Sequence, residues 1–146
     1  MITKLGIVTV WVLDQDSAKD FFVNKLGFEL RDDIKLGDGA IRWVTVGPKG
    51  QSDVRLTLMV PGPPTHDPES GEQLKALISK GVMGAGAFNT DDCHATYREL
   101  AGRGVTFIQE PQDRPYGVEA IFRDDSGNWY SLTQPRAELD LTKPWS

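Results

Sequence analysis

The sequence predicts an α+β fold in which two tandem βαβββ modules form a curved mixed sheet around a cleft. Three observations support it: a motif that occurs twice, strand-like alternation after each copy, and one apolar helical stripe in each half. Matching residues in the two halves lie about 77 positions apart, which indicates an internal repeat. The pairs at this separation are Asp14 and Asp91, Ala18 and Ala95, and Gly27 and Gly104.

The first module covers about residues 1–60 and begins with a strand, because valines alternate with other residues from 8 to 12. Asp14 or Asp16 is placed to cap the helix that follows. Gly27 is typical of a residue that ends a helix. The apolar stripe of this helix consists of Ala18, Phe21, Phe22 and Leu26.

Phe28 begins an extended segment, and further strands are expected near 41–46 and 53–60. A connector of about residues 61–82 opens with prolines and glycine and contains a short helix near 74–78.

The second module covers about residues 83–135 and repeats the order of the first. Its elements are a strand through 85–88, a helix over about 93–101 and strands near 105–108, 118–123 and 129–133. Residues 136–146 form a C-terminal tail that is expected to clasp a second subunit.

Composition narrows the range of partners and compartments. A formal charge of −5 without a Lys or Arg cluster argues against nucleic acid and anionic membranes, and modestly favours a cationic or neutral ligand. Cys93 is the only cysteine, so no intramolecular disulfide forms, and a cytoplasmic location fits. No stretch reaches the roughly 18 apolar residues that a membrane span needs.

Strand parity separates the aliphatic faces, which the helices must cover, from mixed faces that carry polar and aromatic side chains. Apolar walls with a few polar groups are typical of a small-molecule cavity. The candidate ligand-binding residues are therefore Thr9, Trp11, Trp43, Arg55, Thr57, Met59, Tyr116, Glu119, Ile121, Trp129 and Ser131.

The repeated strand-helix-strand units resemble the vicinal oxygen chelate superfamily, which includes glyoxalase I, extradiol dioxygenases and bleomycin-resistance proteins. The resemblance covers nearly the whole chain. It rests on Val12-x-Asp14 with Phe21-Phe22, on Leu26-Gly27-Phe28, and on Asp124-Asp125-Ser126-Gly127-Asn128 before the last strand. It implies the glyoxalase/bleomycin-resistance/dioxygenase fold and a homodimer.

In metal-dependent members of that superfamily, His, Gln or Glu side chains enter the cleft from four strand positions. Carried over, these positions fall on Ile7, Thr57, Ala85 and Ser131. Isoleucine and alanine have no donor atom, and neutral hydroxyls bind a divalent ion poorly without carboxylate or imidazole help. The resemblance therefore implies a cleft with no metal and no cofactor.

His66 in the connector and His94 in the second helix are expected to face solvent, away from the cleft strands. A magnesium site built from Glu119 and Asp53 with Thr57 and Ser131 is the remaining metal hypothesis.

The tryptophans of the mixed faces either stack on a planar or cationic guest or fill a cavity or interface. Arg55 and Arg123 either clamp an anionic substrate or form internal ion pairs with Glu119 or Asp53.

Three functions follow from these features. The first is metal-free binding of a small organic molecule, with sequestration of, or resistance to, a planar or cationic compound. The second is a metal-independent isomerase or lyase that uses Glu119 as base, with Arg55 or the hydroxyls of Thr57 and Ser131 to steady an oxyanion. The third is a metal-dependent lyase or dioxygenase.

Overall fold

The computed structural model describes residues 1–146, which divide into two compact units, 1–80 and 81–146. Each unit contains one four-stranded mixed sheet, and each is described by itself. Both units contain the βαβββ order, so the predicted α+β class and duplicated module are confirmed. None of the three α-helices has the length and apolar run needed to cross a membrane.

The first unit places its strands in the order β1-β4-β3-β2, with β1 parallel to β4 and the other neighbours antiparallel. Asp14 caps α1, since its Oδ1 accepts a hydrogen bond from the Ser17 amide at 2.8 Å. The helix continues as a π-helical turn over Phe21–Lys25. The elements are β1 Ile7–Trp11, α1 Gln15–Asp20, β2 Glu29–Leu36, β3 Ile41–Gly47, β4 Arg55–Met59 and α2 Pro68–Lys80.

One face of the first sheet forms the core of this unit, where α1 packs against β3 and β4. Alternation along each strand sends every second side chain to this face. Full burial of a large aliphatic or aromatic side chain stabilises the fold by about 1.5–3 kcal/mol. The buried residues here are Val10, Val12, Ala18, Phe21, Phe22, Val44, Val46 and Leu58.

The second unit repeats the topology as β5-β8-β7-β6, with β5 parallel to β8. Asp92 caps α3 by accepting from the Ala95 amide at 2.9 Å. The helix packs against β6, β7 and β8. The elements are β5 Gly84–Asn89, α3 Cys93–Gly102, β6 Phe107–Arg114, β7 Gly117–Arg123 and β8 Trp129–Pro135. The buried core residues are Cys93, Leu100, Val105, Ala120, Phe122, Tyr130 and Leu132.

Two elements are longer than the sequence pattern predicted. β6 continues past 108 and through Pro111 to Arg114, with register shifts that break its alternation. It is an edge strand, where a missing proline N–H is tolerated. The connector helix α2 begins at Pro68 because Asp67 accepts from the Ser70 amide at 2.8 Å, an N-cap followed by a proline in the first turn.

Candidate functional site

Each sheet has one face turned away from the helix of its own βαβββ module, and we call this the mixed face. The strand registers place the predicted site residues there, with Tyr116 in the turn between β6 and β7. The first sheet contributes Thr9, Trp11, Trp43, Arg55, Thr57 and Met59, and the second contributes Glu119, Ile121, Trp129 and Ser131.

A row of hydroxyls and one carboxylate crosses the mixed face of the first sheet. Thr9 pairs with Thr57, Thr57 pairs with Thr45, and Thr45 pairs with Asp32 on β2. The Thr45 hydroxyl donates to Asp32 Oδ2 at 2.5 Å, whereas the buried Thr57 Oγ1 has no hydrogen-bond partner. Arg55 also donates to Asp32 Oδ2, at 3.4 Å. Of the two buried hydroxyls in this row, that of Thr45 is therefore paired and that of its neighbour Thr57 is not.

The ion pair between Arg55 and Asp32 corrects the sequence-based expectation of a pair with Glu119 or Asp53. The Arg55 side chain is 45% exposed, so this pair contributes little to stability. Arg123 donates from Nη1 to the Gly81 and Gly127 carbonyl oxygens at 2.8 and 2.9 Å, which commits that guanidinium nitrogen to holding loop backbone.

His66 lies beside a predicted site residue, which overturns the expectation that it faces solvent away from the cleft strands. Its ring meets Trp11 edge to face, with the ring centroids 4.5 Å apart. Its Nδ1 accepts from the Gly62 amide at 3.2 Å, and the residue is half-buried. His94 is exposed, as expected. The connector therefore contributes an aromatic contact with Trp11 that the periodic patterns of the sequence did not predict.

Glu119 lies at the centre of a hydrogen-bond network on the mixed face of the second sheet. Its Oε1 accepts from the Tyr116 hydroxyl at 2.7 Å, and its Oε2 accepts from Ser131 Oγ at 2.6 Å. Ser131 Oγ is also 2.7 Å from Thr133 Oγ1. The buried Arg114 guanidinium approaches, with Nε 4.0 Å from Glu119 Oε1. Both carboxylate oxygens of Glu119 are therefore engaged by donors from its own unit.

Arg114 and Thr133 belong to this network but were not predicted. Arg114 lies in the part of β6 that the pattern placed outside any strand, and Gln109 of the same strand accepts from its Nη2 at 3.1 Å. Thr133 shares the parity of Ser131, so alternation along β8 was the available signal for it.

The indole of Trp129 packs over Gly84 of the neighbouring strand. Trp129 pairs with Gly84, and a Cβ added to Gly84 would lie 2.5 Å from the indole Cζ2 atom. Glycine at this place therefore makes room for the ring. The indole is a large apolar surface on the mixed face of the second sheet.

The C-terminal tail contacts its own unit along the turn between β6 and β7. The Arg136 and Asp140 amides donate to the Tyr116 and Pro115 carbonyl oxygens at 3.0 and 2.9 Å. The Trp145 ring meets Tyr116 at a centroid distance of 5.3 Å. The tail thus lies next to the Glu119 network, and the expected clasp on a second subunit stays a prediction.

Burial and the hydrogen bond to the Glu119 carboxylate raise the pKa of Tyr116 from 10.0 to about 12. Burial likewise raises the pKa of the Cys93 thiol, whose Sγ donates to the Leu132 carbonyl oxygen at 3.5 Å. Cys93 is therefore a core residue rather than a nucleophile.

The raised pKa of Tyr116 predicts a pH dependence of stability. The folded state holds the Tyr116 proton more tightly than the unfolded state does. The contribution of this proton to the free energy of unfolding is therefore complete below pH 10 and is lost as pH rises toward 12. We expect the difference in unfolding free energy between wild type and Tyr116→Phe to shrink over this window. Urea titrations at several pH values would measure it, and parallel curves for the two proteins would contradict the assignment.

Comparison with known proteins identifies the family. The sequence model of the Glyoxalase/Bleomycin resistance protein/Dioxygenase superfamily matches residues 4–132. The chain belongs to this superfamily. The uncharacterized protein YetH of Bacillus subtilis strain 168 is 34% identical over 92% of this chain and 100% of its own length.

Two solved structures are similar to this chain over most of its length and over most of their own. UcmS2 is 51% identical with a TM-score of 0.85, covering 91% of this chain and 98% of UcmS2. TnmS3, an antibiotic binding protein from Streptomyces sp. CB03234, is 36% identical with a TM-score of 0.72, covering 92% of this chain and 98% of TnmS3.

The residues at the four positions that the sequence resemblance assigns to a metal ion, Ile7, Thr57, Ala85 and Ser131, do not fit a divalent ion. Thr57 has Thr9 as its β1 neighbour, and Ser131 has Ala87 as its β5 neighbour. The one carboxylate that Ser131 contacts, Glu119, already accepts from Ser131 and from Tyr116 through its two oxygens. Ile7 is 46% exposed, and Ala85 lies in the register shift between Gly84 and Gly86. Nowhere do three His, Cys, Asp or Glu side chains form a group that could hold a metal.

Proposed function

We propose that this protein binds a planar or cationic small organic molecule of antibiotic type, without a metal ion, and thereby sequesters it. The observation that carries the proposal is the chemistry of the superfamily's ligand positions. Thr57 and Ser131 offer hydroxyls, while Ile7 and Ala85 offer no donor atom. A superfamily chain without metal ligands keeps the apolar and hydrogen-bonding walls of a binding site.

Two further observations support the proposal. TnmS3, which is 36% identical to this chain, is an antibiotic binding protein. Trp11, Trp43 and Trp129 are half-buried on the mixed faces, where their rings offer flat surfaces for stacking. The formal charge of −5 favours the approach of a cation over an anion.

The geometry of Glu119 weighs against the metal-independent isomerase or lyase. A general base needs a carboxylate oxygen within hydrogen-bond reach of the substrate proton. Here Tyr116 and Ser131 each donate to one oxygen of Glu119, and Arg114 Nε is 4.0 Å from the first. The Glu119 carboxylate therefore connects β7 to β8 and to the turn before β7. Binding is the better supported function.

Titration of the intrinsic tryptophan fluorescence tests the proposal. We expect proflavine, which is both planar and cationic, to change the emission saturably and to bind most tightly, and 9-fluorenone, a planar neutral ketone, and cyclohexylamine, a non-planar cation, to bind more weakly. Replacing Trp43 or Trp129 by leucine should weaken binding of the planar probes about 2- to 30-fold, the range expected for one stacking or cation-π contact.

Trp145→Leu is the matched control, because Trp145 is 73% exposed in the tail. This variant should bind the planar probes as the wild type does. Emission that stays constant with both planar probes and with cyclohexylamine would contradict the proposed function.

We further propose that the protein works as a cytoplasmic homodimer. The single cysteine and the homodimers implied by the superfamily resemblance support these two points. Light scattering at micromolar concentration is expected to give twice the mass of one chain, 16.2 kDa.

A further inference from the structure

We infer that the Thr57 hydroxyl donates a hydrogen bond to a carbonyl-type oxygen of the planar molecule that the protein binds. This inference rests on the proposed function and names the polar group that fixes the orientation of the ligand.

The surroundings of Thr57 combine a flat apolar surface with a polar row. Thr57 lies on β4 between Thr9 of β1 and Thr45 of β3. On the same face, Trp11 pairs with Met59, two residues beyond Thr57. Trp43 precedes Thr45 by two residues and therefore shares its face. A planar molecule that stacks on either tryptophan would lie on the same sheet face as this hydroxyl, and its edge would reach Oγ1 only by displacing the side chains that now close this atom from solvent.

The hydroxyl of Thr57 is buried without a partner. The residue is 2% exposed, and its Oγ1 has no hydrogen-bond partner in the protein. A buried polar group in this state costs free energy, so native proteins rarely leave one unpaired. Thr45, which is 0% exposed, shows the ordinary case, because its hydroxyl donates to Asp32. Binding of an acceptor would satisfy Thr57 in the same way.

The missing partner is an acceptor rather than a donor. Among buried backbone groups, an unpaired N–H donor is rarer than an under-used C=O acceptor. By the same asymmetry, we expect the hydroxyl proton of Thr57 to be the costlier part of the group to leave unpaired. Asp32, the carboxylate of this row, already accepts from Thr45 and Arg55. A carbonyl oxygen on a planar ring supplies the acceptor without adding a second negative charge.

Thermal unfolding of the ligand-free protein gives the first test. Thr57→Val removes an unpaired hydroxyl at nearly constant volume, so we expect the Tm to stay equal to that of the wild type or to rise. Thr45→Val removes a paired hydroxyl from the same row and leaves Asp32 short of a donor, so its Tm should fall. Equal falls in both variants would show that Thr57 has a partner within the protein and would overturn the inference.

Binding gives the second test, with 9-fluorenone and fluorene as a pair that differs in the carbonyl oxygen. We expect Thr57→Val to weaken fluorenone binding about 3- to 10-fold, as for one net hydrogen bond, and to leave fluorene binding unchanged. Thr57→Ser, which keeps the hydroxyl, should restore most of the fluorenone affinity.

The outcomes separate the inference from the proposed function. Wild-type protein that binds both compounds, with Thr57→Val losing neither, would overturn the inference and leave the proposed function standing. Wild-type protein that binds neither compound would count against both. The thermal comparison of Thr57→Val with Thr45→Val decides, without a ligand, whether the hydroxyl is unpaired.

Discussion

Replacing Asp124 by alanine is expected to lower the free energy of unfolding by about 3–5 kcal/mol, because it leaves several buried donors without an acceptor. Asp124 is 7% exposed. Its Oδ1 accepts from the amides of Ser126, Gly127 and Asn128 at 2.8, 2.9 and 3.0 Å. Its Oδ2 accepts from Asn128 Nδ2 at 2.9 Å and from the Tyr130 hydroxyl at 2.7 Å. One carboxylate thus closes the loop that leads into β8.

Urea unfolding followed by far-UV circular dichroism measures this loss. Asp125→Ala is the matched control, because Asp125 is the exposed neighbour in the same loop, and its loss should be well under half as large. Tyr130→Phe removes a single donor, and its effect should fall between the two. Burial, with the nearby Asp124 carboxylate, raises the pKa of Tyr130, so this hydroxyl stays a donor through the accessible pH range. Equal losses for Asp124→Ala and Asp125→Ala would contradict this account.

The Asp124 loop also affects the site. β8 begins at Trp129, directly after the loop, and carries Ser131, which holds Glu119 Oε2. A loop that opens would release the start of β8 from its register with β5 and β7. We therefore expect Asp124→Ala to weaken binding of the planar probes even at temperatures where the chain is still folded.

Replacing Gly117 by alanine is expected to cost about 3 kcal/mol or more, the second largest effect. Gly117 has φ 153°, and a Cβ there would collide with the Gln134 carbonyl oxygen of the paired strand β8. That oxygen belongs to sheet backbone, so it cannot swing aside as the end of a side chain would. The change would also move Tyr116 away from Glu119, which it now contacts at 2.7 Å.

Gly86→Ala separates the two causes of this loss. Gly86 has nearly the same φ, 154°, but an added Cβ would meet nothing within 4 Å. Its substitution should therefore show only the conformational strain, of about 1–2 kcal/mol. Thermal or urea unfolding of both variants gives the comparison, and similar losses in the two would show that the collision with Gln134 is relieved at little cost.

Several features of the fold could be predicted because they depend on local, periodic properties of the chain. Asp14 and Asp92 cap the two module helices, as aspartate before an apolar helical stripe indicates. Parity placed Thr57 and Ser131 on the mixed faces, since successive side chains of a strand point to opposite sides. These properties require only the few residues on either side.

The features that prediction missed depend on irregular or distant geometry. The register shifts in β6 let it continue to Arg114, beyond the point where alternation stops. His66 reaches Trp11 from a connector that has no period to follow. The end of β6 depends on strand bulges, and the contact between His66 and Trp11 depends on the path of a loop. Neither bulges nor loops produce a repeating pattern in the sequence.

The sequence by itself determined that the chain contains a duplicated βαβββ module and which side chains share a sheet face. It also determined that Ile7 and Ala85 have no side-chain atom that could bind a metal ion. Only the tertiary structure decided how the polar groups on those faces are used. In the structure, Asp32 accepts hydrogen bonds from Arg55 and Thr45, and Glu119 accepts them from Tyr116 and Ser131. The Thr57 hydroxyl has no hydrogen-bond partner. The physical reason is that alternation is a property of the backbone of one strand, whereas a hydrogen-bond partner depends on the register between strands and on side-chain distances of a few ångströms.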